Sequence, residues 1–70
     1  MGMKRSLEIM VPHSRNHQAR EDVVRALEQG NIEVANYGMN FVQVRKTTPT
    51  EVRRLCKGLQ IKSIKDGFRL

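Results

Sequence analysis

The amino-acid sequence predicts an α+β domain with the element order β-α-β-β-α-(β), in which two helices pack on one face of a mostly antiparallel sheet. The main observation is that apolar residues change their spacing along the chain, from every second residue to every third or fourth and back. A length of 70 residues leaves room for one domain. We therefore predict a single domain over residues 1–70, with residues 1–4 flexible.

The first strand is predicted over residues 6–11, where apolar and polar residues alternate until Pro12 ends the run. A helix is predicted next, and Gly30 stands where it should end. Either Ser14 or Asn16 is expected to accept hydrogen bonds from the first free amides of this helix. Its apolar side is formed by Ala19, Val23, Ala26 and Leu27.

A β-hairpin is predicted from Asn31 onward, because the apolar spacing returns to two. The turn is expected at Asn36-Tyr37-Gly38, residues that tolerate a positive φ, and the second strand over residues 39–45. Apolar residues on both sides of that strand indicate a central position in the sheet. Phe41 is expected in the core, which leaves Tyr37 as the better candidate for contact with a base or a partner.

The second helix has the clearest start signal in the chain. Thr48 can cap the helix, Pro49 suits its first position, and Glu51 can complete a capping box. Gly58 limits this helix to about two and a half turns. Residues 61–65 then predict a short strand and Asp66-Gly67 a turn, after which the chain forms a last strand stub or packs Phe68 and Leu70 on the core.

The single cysteine and the hydropathy exclude several classes of protein. Cys56 alone forms no intramolecular disulfide and no zinc site built on cysteine pairs, and its helical position favours core packing over nucleophilic chemistry. We expect no metal or cofactor. No apolar run approaches a membrane span, so we predict a cytoplasmic protein without a membrane partner. The small core is compatible with a homodimer that hides more apolar area.

The excess of positive charge lies entirely in the second half of the chain. The net charge is +6; residues 1–35 hold five basic and five acidic residues, whereas residues 36–70 hold eight and two. An uneven distribution of this kind is what an electrostatic binding surface requires. We therefore expect a non-enzymatic module that binds the phosphate backbone of RNA or DNA, with little base readout because aromatic residues are few. The expected contacts are Arg45, Lys46, Arg53, Arg54 and Lys57, with Lys62 and Lys65 at the rim and Arg15 at a second positive surface near the first helix.

Two other functions fit parts of the same pattern. The basic surface also suits a small regulatory or inhibitory protein that docks on an acidic protein surface, and an exposed sheet edge would assist such docking. A small endoribonuclease would use His13 and His17 as general base and general acid, with Arg15 stabilising the charged phosphorus intermediate.

The segment from Arg20 to Lys57, with its helix, hairpin and basic second helix, resembles the double-stranded-RNA-binding-like folds, including the small messenger-RNA-cleaving toxins of the HicA type. The resemblance is one of element order. Those toxins carry a catalytic histidine after the glycine at the hairpin, whereas Gly38 is followed here by Met39-Asn40-Phe41. The resemblance therefore implies neither that activity nor its site residues.

Overall fold

Two helices cover one face of an antiparallel sheet in the computed structural model, which describes residues 4–67 and confirms the predicted α+β class. The predicted flexibility of residues 1–3 and the predicted packing of Phe68 and Leu70 lie outside the described residues. In chain order the elements are β1 (Arg5–Met10), a 3-10 turn (Arg15–His17), α1 (Gln18–Gln29), β2 (Glu33–Tyr37), β3 (Phe41–Thr47), α2 (Pro49–Leu55) and β4 (Ser63–Asp66).

The strands lie in the order β2-β3-β1-β4, and all neighbouring pairs are antiparallel. The predicted central position of the second hairpin strand is confirmed, because β3 lies between β2 and β1. The sequence of elements is that of the split β-α-β, or ferredoxin-like, arrangement.

The core lies between the sheet and the helices. Alternate residues of β1 and β3 point toward the helices, and Leu7 pairs with Val44 while Ile9 pairs with Val42. The helices contribute residues at the predicted helical spacing. Fully buried side chains on the two layers are Leu7, Ile9, Val42, Val44, Val23, Leu27 and Val52. The opposite face of the sheet has no helix over it within residues 4–67.

The hairpin turn lies later than predicted. β2 continues through Tyr37, and the Gly38 amide donates to the Phe41 carbonyl at 3.0 Å. Gly38 has no positive φ, but a Cβ added there would overlap the Phe41 ring, so that the ring would have to move. The expectation of a core position for Phe41 is wrong. Its neighbour Val42 takes the core face, so Phe41 lies half-buried on the open face.

The predicted hydrogen bonds at the two helix starts are present, but Ser14 lies four residues before α1 and is not its N-cap, which is His17. The Ser14 hydroxyl accepts from the Ala19 amide at 2.8 Å, and the Thr48 hydroxyl accepts from the Glu51 amide at 3.2 Å. α2 ends at Leu55, earlier than expected, and Gly58 adopts φ +85° in the turn that follows. A glycine accepts this conformation without the strain that a Cβ would cause.

The last strand begins two residues later than predicted and ends one residue later. β4 covers Ser63–Asp66, and Asp66 pairs with Leu7 in the sheet rather than lying in the turn. Gly67 follows with φ +74° and donates its amide to the Ser6 carbonyl at 2.7 Å. Antiparallel pairing with β1 therefore extends the strand beyond the point where the sequence indicates a turn.

Candidate functional site

Three predicted cations lie together on the outward side of α2 and the turn after it. Arg53, Arg54 and Lys57 are exposed, whereas their chain neighbours Val52 and Cys56 are buried. This separation follows from helical geometry, because residues that alternate with the core-facing ones project into solvent. We call Arg53, Arg54 and Lys57 the α2 patch.

The α2 patch is only partly neutralised. Nη2 of Arg54 lies 2.5 Å from Oε1 of Glu51, one helical turn earlier. Arg53 and Lys57 have no carboxylate within ion-pair distance in the part of the chain that the structure describes. Lys57 also lines a groove between the two helices together with Arg25 and Asp22. Two exposed cations of the α2 patch, Arg53 and Lys57, therefore have no ion-pair partner among residues 4–67.

Two further predicted cations lie on the other face of the sheet. Arg45 follows the buried Val44, and Lys65 follows Ile64, which packs against the core. Successive side chains of a strand alternate between faces, so both cations project from the open face. The set predicted as one site is therefore divided between two surfaces.

Acidic residues stand beside both open-face cations. Nη1 of Arg45 lies 3.5 Å from Oε2 of Glu33, its partner in the β2-β3 pairing. Lys65 lies across from Glu8 in the β1-β4 register, and the Gln43 amide donates to the Glu8 carboxylate at 2.9 Å. By count, the two acidic residues balance the two cations of this face, although Lys65 has no carboxylate within ion-pair distance among residues 4–67.

The remaining predicted cations lie at opposite ends of the sheet. Arg15 is exposed in the 3-10 turn before α1, and the backbone of Lys62 lies at the same end, where its amide donates to the Met10 carbonyl at 2.8 Å. Lys46 lies near the end of β3, at the other end of the strands, and has a φ of 58°. None of these three cations is part of the α2 patch.

His13 precedes the 3-10 turn, and His17 is its last residue. His13 is exposed, and His17 is half-buried with a φ of 54°. Neither imidazole has a hydrogen-bond or ion-pair partner among residues 4–67. A general base or acid needs a partner or substrate that orients it, and the structure supplies no internal partner for this pair.

Arg20 holds the hairpin against α1, a contact that the sequence reading missed. Its guanidinium lies 4.5 Å from the centroid of the Tyr37 ring and donates to the Gly38 carbonyl at 2.9 Å. Nη2 also pairs with Glu21 at 2.7 Å. The Arg20 side chain is only 12% exposed, whereas Tyr37 is 51% exposed. Helical spacing alone showed Arg20 as a surface residue, because the hairpin that covers it arrives through tertiary packing.

Cys56 is a core residue. It is 2% exposed, and burial raises the pKa of its thiol, which disfavours the reactive thiolate. Within residues 4–67, no group of three histidine, cysteine or acidic side chains is placed to hold a metal ion. The helices of that same segment are too short and too polar to cross a membrane.

Comparison with protein-family models, with curated proteins and with solved structures finds no match to this chain.

Proposed function

We propose that this protein binds the phosphate backbone of nucleic acid through the α2 patch. The observation that carries the proposal is the pair of exposed, uncompensated cations Arg53 and Lys57, with Arg54 beside them. Cations held close together without carboxylates repel one another. Binding of a polyanion relieves this repulsion and releases counterions from the polyanion.

The proposal is narrower than the eight-residue set expected from sequence. Arg45 and Lys65 lie on the opposite face and beside acidic residues, so they are not assigned as primary contacts. Contact through three flexible side chains of a short helix and the turn after it favours recognition of phosphates over recognition of bases. We therefore expect RNA and DNA of similar shape to bind with similar affinity.

Fluorescence anisotropy with a labelled RNA hairpin and a labelled DNA duplex, at several salt concentrations, tests the proposal. The variant Arg53→Gln with Lys57→Gln should lose about tenfold or more in affinity at low salt. The slope of its log affinity against log salt concentration should become shallower by the equivalent of about two phosphate contacts. The matched control is Arg45→Gln with Lys65→Gln, which removes the same charge from the open face and should change affinity less than threefold.

Equal losses in the two double variants would refute the α2 assignment. Binding that hardly changes with salt would refute backbone recognition altogether. Circular dichroism of each variant shows whether the fold is retained, so that a loss of binding is attributed to the removed charge.

An acidic protein surface is the alternative partner for the same cations. A specific observation supports this alternative: β2 and β4 are the outer strands of the sheet, and the outer edge of each is unpaired within residues 4–67. A strand of a partner protein can pair with such an edge. Nuclease treatment before size-exclusion analysis of a purified complex separates the two proposals. A complex that survives nuclease and is dissociated by Arg53→Gln with Lys57→Gln supports the protein partner.

A further inference from the structure

A cleft of about 320 Å³ opens at the end of the domain where β1 and α2 begin. Lys4 and Lys46 stand on its walls with Thr47 and Glu51, and the loop after α1 closes it through Asn31 and Ile32. The volume lies at the lower end of the range for small-molecule sites. Arg53 and Lys57 of the α2 patch do not line this cleft, so it is a separate feature of the surface.

Both lysines of the cleft are uncompensated. Lys4 and Lys46 are exposed, and neither has a carboxylate within ion-pair distance among residues 4–67. Glu51 is the carboxylate that lines the cleft, and Arg54 already binds it with contacts of 2.5 and 3.4 Å. The cleft therefore carries a net positive charge.

The backbone of Lys46 has a left-handed conformation, which is energetically unfavourable for a lysine. Its φ of 58° lies in the left-handed region, where side chains with a Cβ are strained by about 1 kcal/mol and glycine is not. Strained residues of this kind concentrate at functional sites. The conformation belongs to a bulge in the pairing of β1 with β3, where Arg45 and Lys46 stand opposite Ser6, and bulges of this kind redirect side chains next to binding sites.

Thr47 adds an unmet hydrogen bond beside the same cleft. The residue is 2% exposed, and its hydroxyl oxygen is buried without a partner in the described part of the chain. A buried hydroxyl without a partner costs about 1–3 kcal/mol. A ligand oxygen that reached this hydroxyl from the cleft would accept its hydrogen bond and remove that cost.

We infer that the cleft binds a phosphate group through Lys4, Lys46 and the Thr47 hydroxyl. Two ammonium groups match the charge of a phosphate monoester, and lysines and hydroxyl donors are common phosphate ligands. The phosphate belongs either to a small phosphorylated molecule or to a nucleic-acid terminus. The inference does not depend on the proposed function, because it uses none of the residues of the α2 patch.

Titration of ¹⁵N-labelled protein with inorganic phosphate, followed by amide chemical shifts, tests this site. We expect saturable shifts concentrated at residues 30–32 and 46–48. Lys46→Gly removes the ammonium group while it relieves the backbone strain, and Thr47→Val removes the hydroxyl while it keeps the shape. Each should weaken phosphate binding at least fivefold, whereas Lys62→Ala, at the other end of the sheet, should not change it.

Two pairs of ligands separate the sources of the phosphate. Adenosine 5′-monophosphate is compared with adenosine, and a 5′-phosphorylated oligonucleotide with its 5′-hydroxyl form. Tighter binding of the phosphorylated member of either pair, lost in Lys46→Gly but retained in Arg53→Gln with Lys57→Gln, supports the site and identifies the source. Shifts spread over all exposed lysines, or unchanged binding in Lys46→Gly and Thr47→Val, would overturn the inference.

Discussion

Positive charge is balanced on the open face of the sheet but not on the outward side of α2. On the sheet, Glu33 pairs with Arg45, and Glu8 lies across from Lys65. In the α2 patch, the single carboxylate of Glu51 pairs with Arg54, and neither Arg53 nor Lys57 has a carboxylate within ion-pair distance among residues 4–67. The open face thus holds two acidic residues for two cations, whereas the α2 patch holds one for three and keeps the larger net positive charge.

The sheet and α2 bring acidic residues to their cations in different ways. In the sheet, antiparallel pairing sets residues that are distant in sequence directly opposite one another, so that β2 brings Glu33 to Arg45. In a short helix, the partners available to a cation are mainly the residues three and four positions away. The number of basic residues is therefore a poor guide to where an anion binds.

The largest effect is expected at the hairpin, and it concerns the open face. Gly38→Ala should lower the free energy of unfolding by about 2 kcal/mol, because the new Cβ would overlap the Phe41 ring. Urea denaturation measures this loss. In a Phe41→Leu background the same glycine substitution should cost clearly less. If Gly38→Ala weakens nucleic-acid binding under conditions in which it is folded, the open face takes part in binding and the comparison fails.

The next effect concerns the start of α2. Thr48→Ala should lower the free energy of unfolding by about 1 kcal/mol, because the Glu51 amide loses its capping acceptor. Thr50→Ala, an exposed position in the first turn, is the matched control and should cost little or nothing. Equal costs in chemical denaturation would show that the capping bond does not stabilise the helix that carries the α2 patch.

A smaller effect is expected when acidic partners are neutralised. Glu51→Gln releases Arg54 and should raise nucleic-acid affinity about threefold. Glu33→Gln releases Arg45 on the open face and should leave affinity unchanged. Anisotropy titrations at fixed salt compare the two variants. Equal gains would mean that affinity follows net charge alone and that the two surfaces do not differ.

The smallest effect concerns the buried side of α2 and appears only at alkaline pH. Burial raises the pKa of Cys56 in the folded state, so the unfolded chain loses this proton first, above the ordinary thiol pKa of about 8.5. The free energy of unfolding should therefore fall as pH rises beyond that value. Cys56→Ala should lack this part of the fall in denaturation curves at pH 7 to 10. Identical pH profiles would contradict a buried, protonated thiol.

Residues that act through local geometry were predicted well. Thr48 caps α2 and the Ser14 hydroxyl accepts from an amide of the first turn of α1, as expected, and Val23, Leu27 and Val52 reach the core because helical spacing places them there. Phe41 and the hairpin turn were misplaced, since sheet register decides which of two neighbouring apolar residues faces the helices.

The sequence by itself determined the order of elements, the excess of positive charge in the second half and the exposure of Arg53, Arg54 and Lys57. Only the tertiary structure decided which cations have partners and which side chains enclose the cleft beside Lys46 and Thr47. The physical reason is one of range. Helical spacing and capping depend on neighbours within one or two turns, whereas ion pairing across strands and the walls of a cleft depend on residues brought together by folding.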